Sequence, residues 1–78
     1  ARGGLRVMLH SPIRQQRARD YLSLAKTLRE IAHSHKRSAL RAEADGFLKS
    51  YRFFRQASDR AWRNAKYYLN QARIESNG

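Results

Sequence analysis

Residues 38–74, SALRAEADGFLKSYRFFRQASDRAWRNAKYYLNQARI, carry the reading on which the fold turns. Leu40, Ala44, Phe47, Leu48, Tyr51, Phe54, Ala61, Trp62, Ala65, Tyr68, Leu69 and Ala72 recur there at helical spacing and line one side of a 3.6-residue helix. Ser38 stands ahead of the run as a candidate N-cap. The spacing predicts a helix over 38–74, about 55 Å long. Ser58 and Asp59 are capping residues, and a break near 57–59 would turn the chain into a three-helix bundle. Against that break, the phase holds from Phe54 through Ser58 to Ala61, and helices joined by a loop have no reason to stay in register. Gly46 costs such a helix about 1 kcal/mol relative to Ala and marks a place for a bend or a close crossing.

Upstream, Ser11-Pro12 pairs a capping side chain with a residue favoured in the first helical turn, so a first helix is expected over 12–35. Its apolar residues, Leu24, Ala25, Leu28, Ile31 and Ala32, are spaced by three and four. Arg19, Lys26, Arg29, His33, Lys36 and Arg37 occupy the other side. Projected at roughly 100° per residue, this stripe and the later one differ by well over 90°. One straight helix cannot hold both on one face, which places a turn near residues 34–38. Alternating strand patterns are absent. The expected fold is all-α: an antiparallel helical hairpin with a long second helix, broken near 57–59 in the three-helix alternative. The second helix would then outreach the first, and its uncovered apolar surface would favour a homodimer or burial on a partner.

The domain expected is a single one over 12–75. Residues 1–11 read as a flexible basic arm or leader, with Arg2 and Arg6 beside Gly3 and Gly4, and residues 76–78 as a fraying end. At 78 residues the chain is too short for two independent cores. It has no cysteine, so neither a disulfide framework nor a thiolate metal site is available to it. No run approaches the roughly 18 apolar residues of a membrane span.

Charge is the strongest compositional signal. Seventeen Lys and Arg face six Asp and Glu, a formal net charge of +11. An anionic partner is the first expectation. Along 41–73 the cations Arg41, Lys49, Arg52, Arg55, Arg60, Arg63, Lys66 and Arg73 fall within an arc of roughly 140° opposite the apolar stripe. Asp59 is the one acid on that ribbon between Lys49 and Arg73. Guanidinium groups fork onto phosphate and stack on bases, so a surface rich in Arg suits recognition of nucleic acid. Phe53 and Tyr67 lie at the margin of the stripe and are candidate stacking platforms, while Phe47, Phe54, Trp62 and Tyr68 are placed in the core. Arg14, Arg17 and Arg19 form a second basic region at an end of helix 1 expected to protrude. Asp45 and Lys49 are spaced for an i, i+4 ion pair.

Enzyme chemistry finds little to work with. His33 and His35 are two apart, point to different sides of a helix, and read as surface histidines near its end. No nucleophile and base, metal-ligand set or phosphate loop is spaced as catalysis requires, and no cofactor is expected. The sequence therefore predicts a small basic helical nucleic-acid-binding or nucleic-acid-associated accessory protein with backbone-dominated contacts. It would be cytoplasmic or nucleoid-associated, with no membrane partner. The alternative is a small helical regulator or inhibitor that docks on an acidic surface of a larger nucleic-acid-processing protein.

Overall fold

The computed structural model describes the backbone of residues 2–77 and the side chains of residues 12–77. It contains two helices, α1 (Arg2–Ala44) and α2 (Leu48–Asn77), packed against each other as a hairpin with no strand among the described residues. α2 passes unbroken through residues 57–59, so two helices form and not three. The proportions differ from expectation: α1 has 43 residues and α2 has 30, which makes the first helix the long one. The overhang expected of the second helix is therefore absent, and α2 is matched by α1 along its length.

The turn lies at residues 45–47, not 34–38. Its hydrogen bonds explain why. Phe47 N–H donates to the Ala42 carbonyl at 2.9 Å and Gly46 N–H to the Glu43 carbonyl at 3.1 Å, the two crossed bonds that close a helix C-terminus around a left-handed residue. Gly46 is that residue, with φ +79°, a conformation in which a Cβ meets the following carbonyl. Phe47 then opens α2, its carbonyl accepting from Tyr51 N–H at 2.9 Å. No atom lies within 4 Å of a Cβ built on Gly46, so only the backbone conformation penalises a side chain there. We expect Gly46→Ala to destabilise the protein by about 1 kcal/mol, read as a lower midpoint in urea denaturation with unchanged slope.

Ser38, expected as a cap, sits half-buried inside α1. Pro12 also lies within α1 rather than at its start. It is exposed, and with no backbone N–H it donates no helical hydrogen bond. The basic arm read over 1–11 continues α1 from Arg2, and its side chains lie outside the described residues. Gly78 lies outside them too.

The packing seam is made of alanine. Ala18, Ala25, Ala32 and Ala39 recur every seven residues on α1 and are buried to 5% exposure or less. Between them, at spacings of four and three, come Arg14, Tyr21, Leu28, His35 and Ala42, half-buried or buried. α2 answers with Tyr51, Ser58, Ala65 and Ala72 and, offset by three, Phe54, Ala61, Tyr68 and Glu75. This is a heptad pattern: the first set on each helix occupies position a and the second position d. Every buried apolar residue among those described is an alanine, and no large side chain is fully buried. Small side chains let two helix backbones approach closely, and contact between backbones replaces interdigitation of large groups.

Four contacts set the register. Ser58 Oγ donates to the Ala32 carbonyl at 2.9 Å, buried in the seam. Tyr21 stacks on Tyr68 with centroids 5.9 Å apart, His35 on Phe54 at 6.1 Å, and Arg14 meets Glu75 at 3.4 Å. The hydroxyl that reads in sequence as a cap thus pins the middle of the hairpin. Phe47, placed in the core by its spacing, is 62% exposed beside the turn, and Leu40 and Leu48 are likewise exposed. Phe54, Trp62 and Tyr68 are half-buried flanks of the alanine seam.

Candidate nucleic-acid interface

In an antiparallel pair whose seam is a and d, positions e and b of both helices share one broad face, and positions g and c share the other. The recesses of the structure follow that division. Lys36, Leu40, Tyr51, Arg55, Asp59 and Trp62 line one recess of about 290 Å³, and Leu22, Lys26, Arg29 and Leu69 line another on the same face. His33 packs edge-on against Trp62 there, with centroids 5.4 Å apart. Ser38, Arg41, Phe47, Ser50 and Phe54 line a recess on the opposite side. The first face collects charge. α1 gives it Arg19, Lys26, Arg29 and Lys36, and α2 gives it Arg52, Arg55, Lys66 and Arg73, against the two carboxylates Glu43 and Asp59.

The ribbon expected on helix 2 is accordingly redistributed. Arg41 belongs to the last turn of α1, and with Arg60 it falls on the opposite, g and c, face. Lys49 and Arg63 project from the outer edge of α2, while Arg52, Arg55, Lys66 and Arg73 join the face of α1 cations. All eight are exposed, and none of them takes part in an ion pair among the described residues. Arg55 Nη1 donates to the Tyr51 hydroxyl at 2.8 Å, which holds its guanidinium along the face. Asp45 and Lys49, expected as an i, i+4 pair, are separated by the turn and form no bridge. Sequence reasoning placed Arg19, Lys26, Arg29 and Lys36 on the polar side of helix 1 but did not join them to the α2 cations. The signal that would have done so is the seven-residue alanine repeat, which fixes how each helix is rotated.

Phe53 and Tyr67 are exposed as expected, at 65% and 56%. They sit on the face away from Lys36 and Arg55, each with its edge against the next aromatic: Phe53 on Phe54 at 5.4 Å and Tyr67 on Tyr68 at 5.2 Å. The second basic region does not protrude as a whole. Arg14 Nε donates to Glu75 Oε2 at 3.4 Å, and Arg17 Nη1 lies 3.7 Å from Glu75 Oε1, so the last turns of α2 cover that end. Arg19 remains exposed and donates to Gln16 at 3.2 Å.

His33 and His35 lie in the middle of α1, on opposite sides of the seam, with His35 half-buried against Phe54 rather than free near a helix end. Among the described residues no three of His, Cys, Asp and Glu come together as a metal site would need. Among the described residues no helix is long and apolar enough to cross a membrane. The chain matches no protein-family model, no curated protein and no solved structure. Its chemistry is therefore read from its own surface. One feature of that surface is the basic face, whose α1 cations run from Arg19 to Lys36, about 26 Å along the helix.

Proposed function

We propose that this chain is a small nucleic-acid-associated accessory protein, without catalytic activity of its own, that grips phosphate backbone with the e and b face of its hairpin. One observation carries the reading: cations from both helices converge on a single rigid face that holds only two carboxylates. A solvated face with no anionic partner ordinarily mixes both signs. Held on helices, these groups need little reordering to meet a polyanion, and the length of the face approaches one turn of duplex, about 34 Å. The contacts would be to backbone, which position a protein on nucleic acid without reading its sequence.

Fluorescence anisotropy with a labelled duplex and a labelled single strand tests this. Affinity is expected to fall steeply with salt, with a slope of log K against log salt near −5 for duplex if roughly six phosphates are neutralised. Absence of binding in dilute buffer, or an affinity indifferent to salt, would reject the proposal.

The second reading, docking on an acidic protein surface, is favoured by one local feature. Tyr51, Arg55 and Trp62 share a recess, and these residue types commonly anchor protein interfaces. Capture of one stoichiometric protein that survives nuclease treatment would favour it over nucleic acid.

A further inference from the structure

We propose that the face opposite the cations is covered by a second copy of this chain, giving a two-fold dimer of hairpins. The first argument is the core. A seam of alanines with no fully buried large side chain removes little apolar area from water per ordered residue. A cysteine-free chain of this size has to find more burial elsewhere. The second is where the uncovered apolar groups lie. Leu24, Ile31, Phe53, Tyr67 and Ile74 are 40–65% exposed and all occupy the g and c face. Between Asp20 and Arg41 that face of α1 carries no charge, and Arg60 is the one charge facing it from α2 ahead of Glu75.

The area suffices. The part of the hairpin where both helices are present is about 45 Å long and about 20 Å wide, some 900 Å² per copy, against about 800 Å² per partner in a standard stable interface. Charge selects the occupant. With Arg60 the one charge between Arg41 at the turn end and Asp20 and Glu75 at the other, the face has too little charge to choose an oppositely charged partner, and a self-complementary apolar patch meets its own copy under two-fold symmetry. Two chains of +11 repel, and pairing through this sparsely charged face turns both cationic faces outward, which keeps most of the like charges apart. The result is a four-helix assembly with a basic face on each side.

Sedimentation equilibrium of the full chain, free of nucleic acid and in high salt, should give twice the 9.1 kDa of one copy. High salt removes bridging by polyanions, so this outcome is independent of the function proposed above. A mass of one copy at every concentration up to millimolar would overturn the dimer. Hydroxyl-radical footprinting locates the interface without any substitution: Phe53 and Tyr67 should oxidise several-fold more slowly in concentrated than in dilute protein, and Trp62 should not change. Protection of Trp62 and Leu69 instead would overturn the assignment of the face. Ile31→Glu and Tyr67→Glu should each raise the dimer dissociation constant about a hundredfold, since each buries an unpaired carboxylate. Leu69→Glu, on the cationic face, should leave the mass unchanged.

Discussion

Replacing Ala32 by Leu should lower the melting temperature by more than about 10 °C, corresponding to roughly 3 kcal/mol for a chain of this length. Ala32 is fully buried, and its carbonyl accepts the Ser58 hydroxyl across the seam. Ala32 is fully buried, so a leucine at that point has no open space to enter. The helices would have to separate locally, breaking the Ser58 bond and loosening the flanking stacks of Tyr21 on Tyr68 and His35 on Phe54. Ala44→Leu is the matched control. Ala44 is exposed, so the same added carbons should change stability by no more than about 0.5 kcal/mol. Thermal denaturation followed by circular dichroism at one fixed protein concentration measures both, the concentration being held because self-association raises the apparent stability. Equal midpoints for the two variants would show that the alanines are not close-packed.

Removing three cations from one face should weaken duplex binding about a hundredfold. The variant Arg29→Ala, Lys36→Ala, Arg55→Ala deletes charges from both helices; all three are exposed, and of the seam residues it touches only Tyr51, whose hydroxyl loses the Arg55 donor. Each lost phosphate contact removes one counterion-release event, so the slope of log K against log salt should flatten by about three and the loss should be similar for unrelated sequences. Arg41→Ala with Arg60→Ala removes charge from the other face and should change affinity less than about threefold. If this pair proved as damaging as the triple variant, binding would follow overall charge and not the face. Anisotropy titrations at matched salt separate the two cases.

The residues show why the fold was legible in part. The all-helical hairpin and the continuity of α2 through residues 57–59 follow from the phase that Phe54, Ala61, Tyr68 and Ala72 share. The turn is hidden in the sequence because its large apolar residues do not lie at the centre of each stripe. Leu24 and Ile31 are flanking residues, and their phase differs from that of the alanines beside them. Leu40, Ala44, Phe47 and Leu48 happen to continue the α2 pattern backwards through Gly46, which hid a left-handed residue inside an apparently helical run. Once Ala18, Ala25, Ala32 and Ala39 are recognised as the seam, α1 runs unbroken to Ala44 and Gly46 falls where a helix end wants it.

The candidate site was legible only by halves. The cations of α2 were evident from composition, but whether they join those of α1 depends on how each helix is turned about its axis. Arg60 and Arg41, at position c, stand about 150° around their helices from Arg55 and Lys36 at position e, and so face the opposite side. Glu75, the last residue of the domain expected over 12–75, has a side chain 16% exposed and gathers Arg14 and Arg17. That pairing is visible only when the two chain ends are brought together.

The three-residue connection at Gly46 also dictates an order of assembly. Phe54 finds His35 across 19 positions of chain, whereas Glu75 reaches Arg14 across 61. Closing a short loop sacrifices less chain entropy than closing a long one, so pairing nucleates beside the bend and advances outward like a zip. The carboxylate that clasps the two arginines fastens last, and it is the first clasp to open when the hairpin breathes.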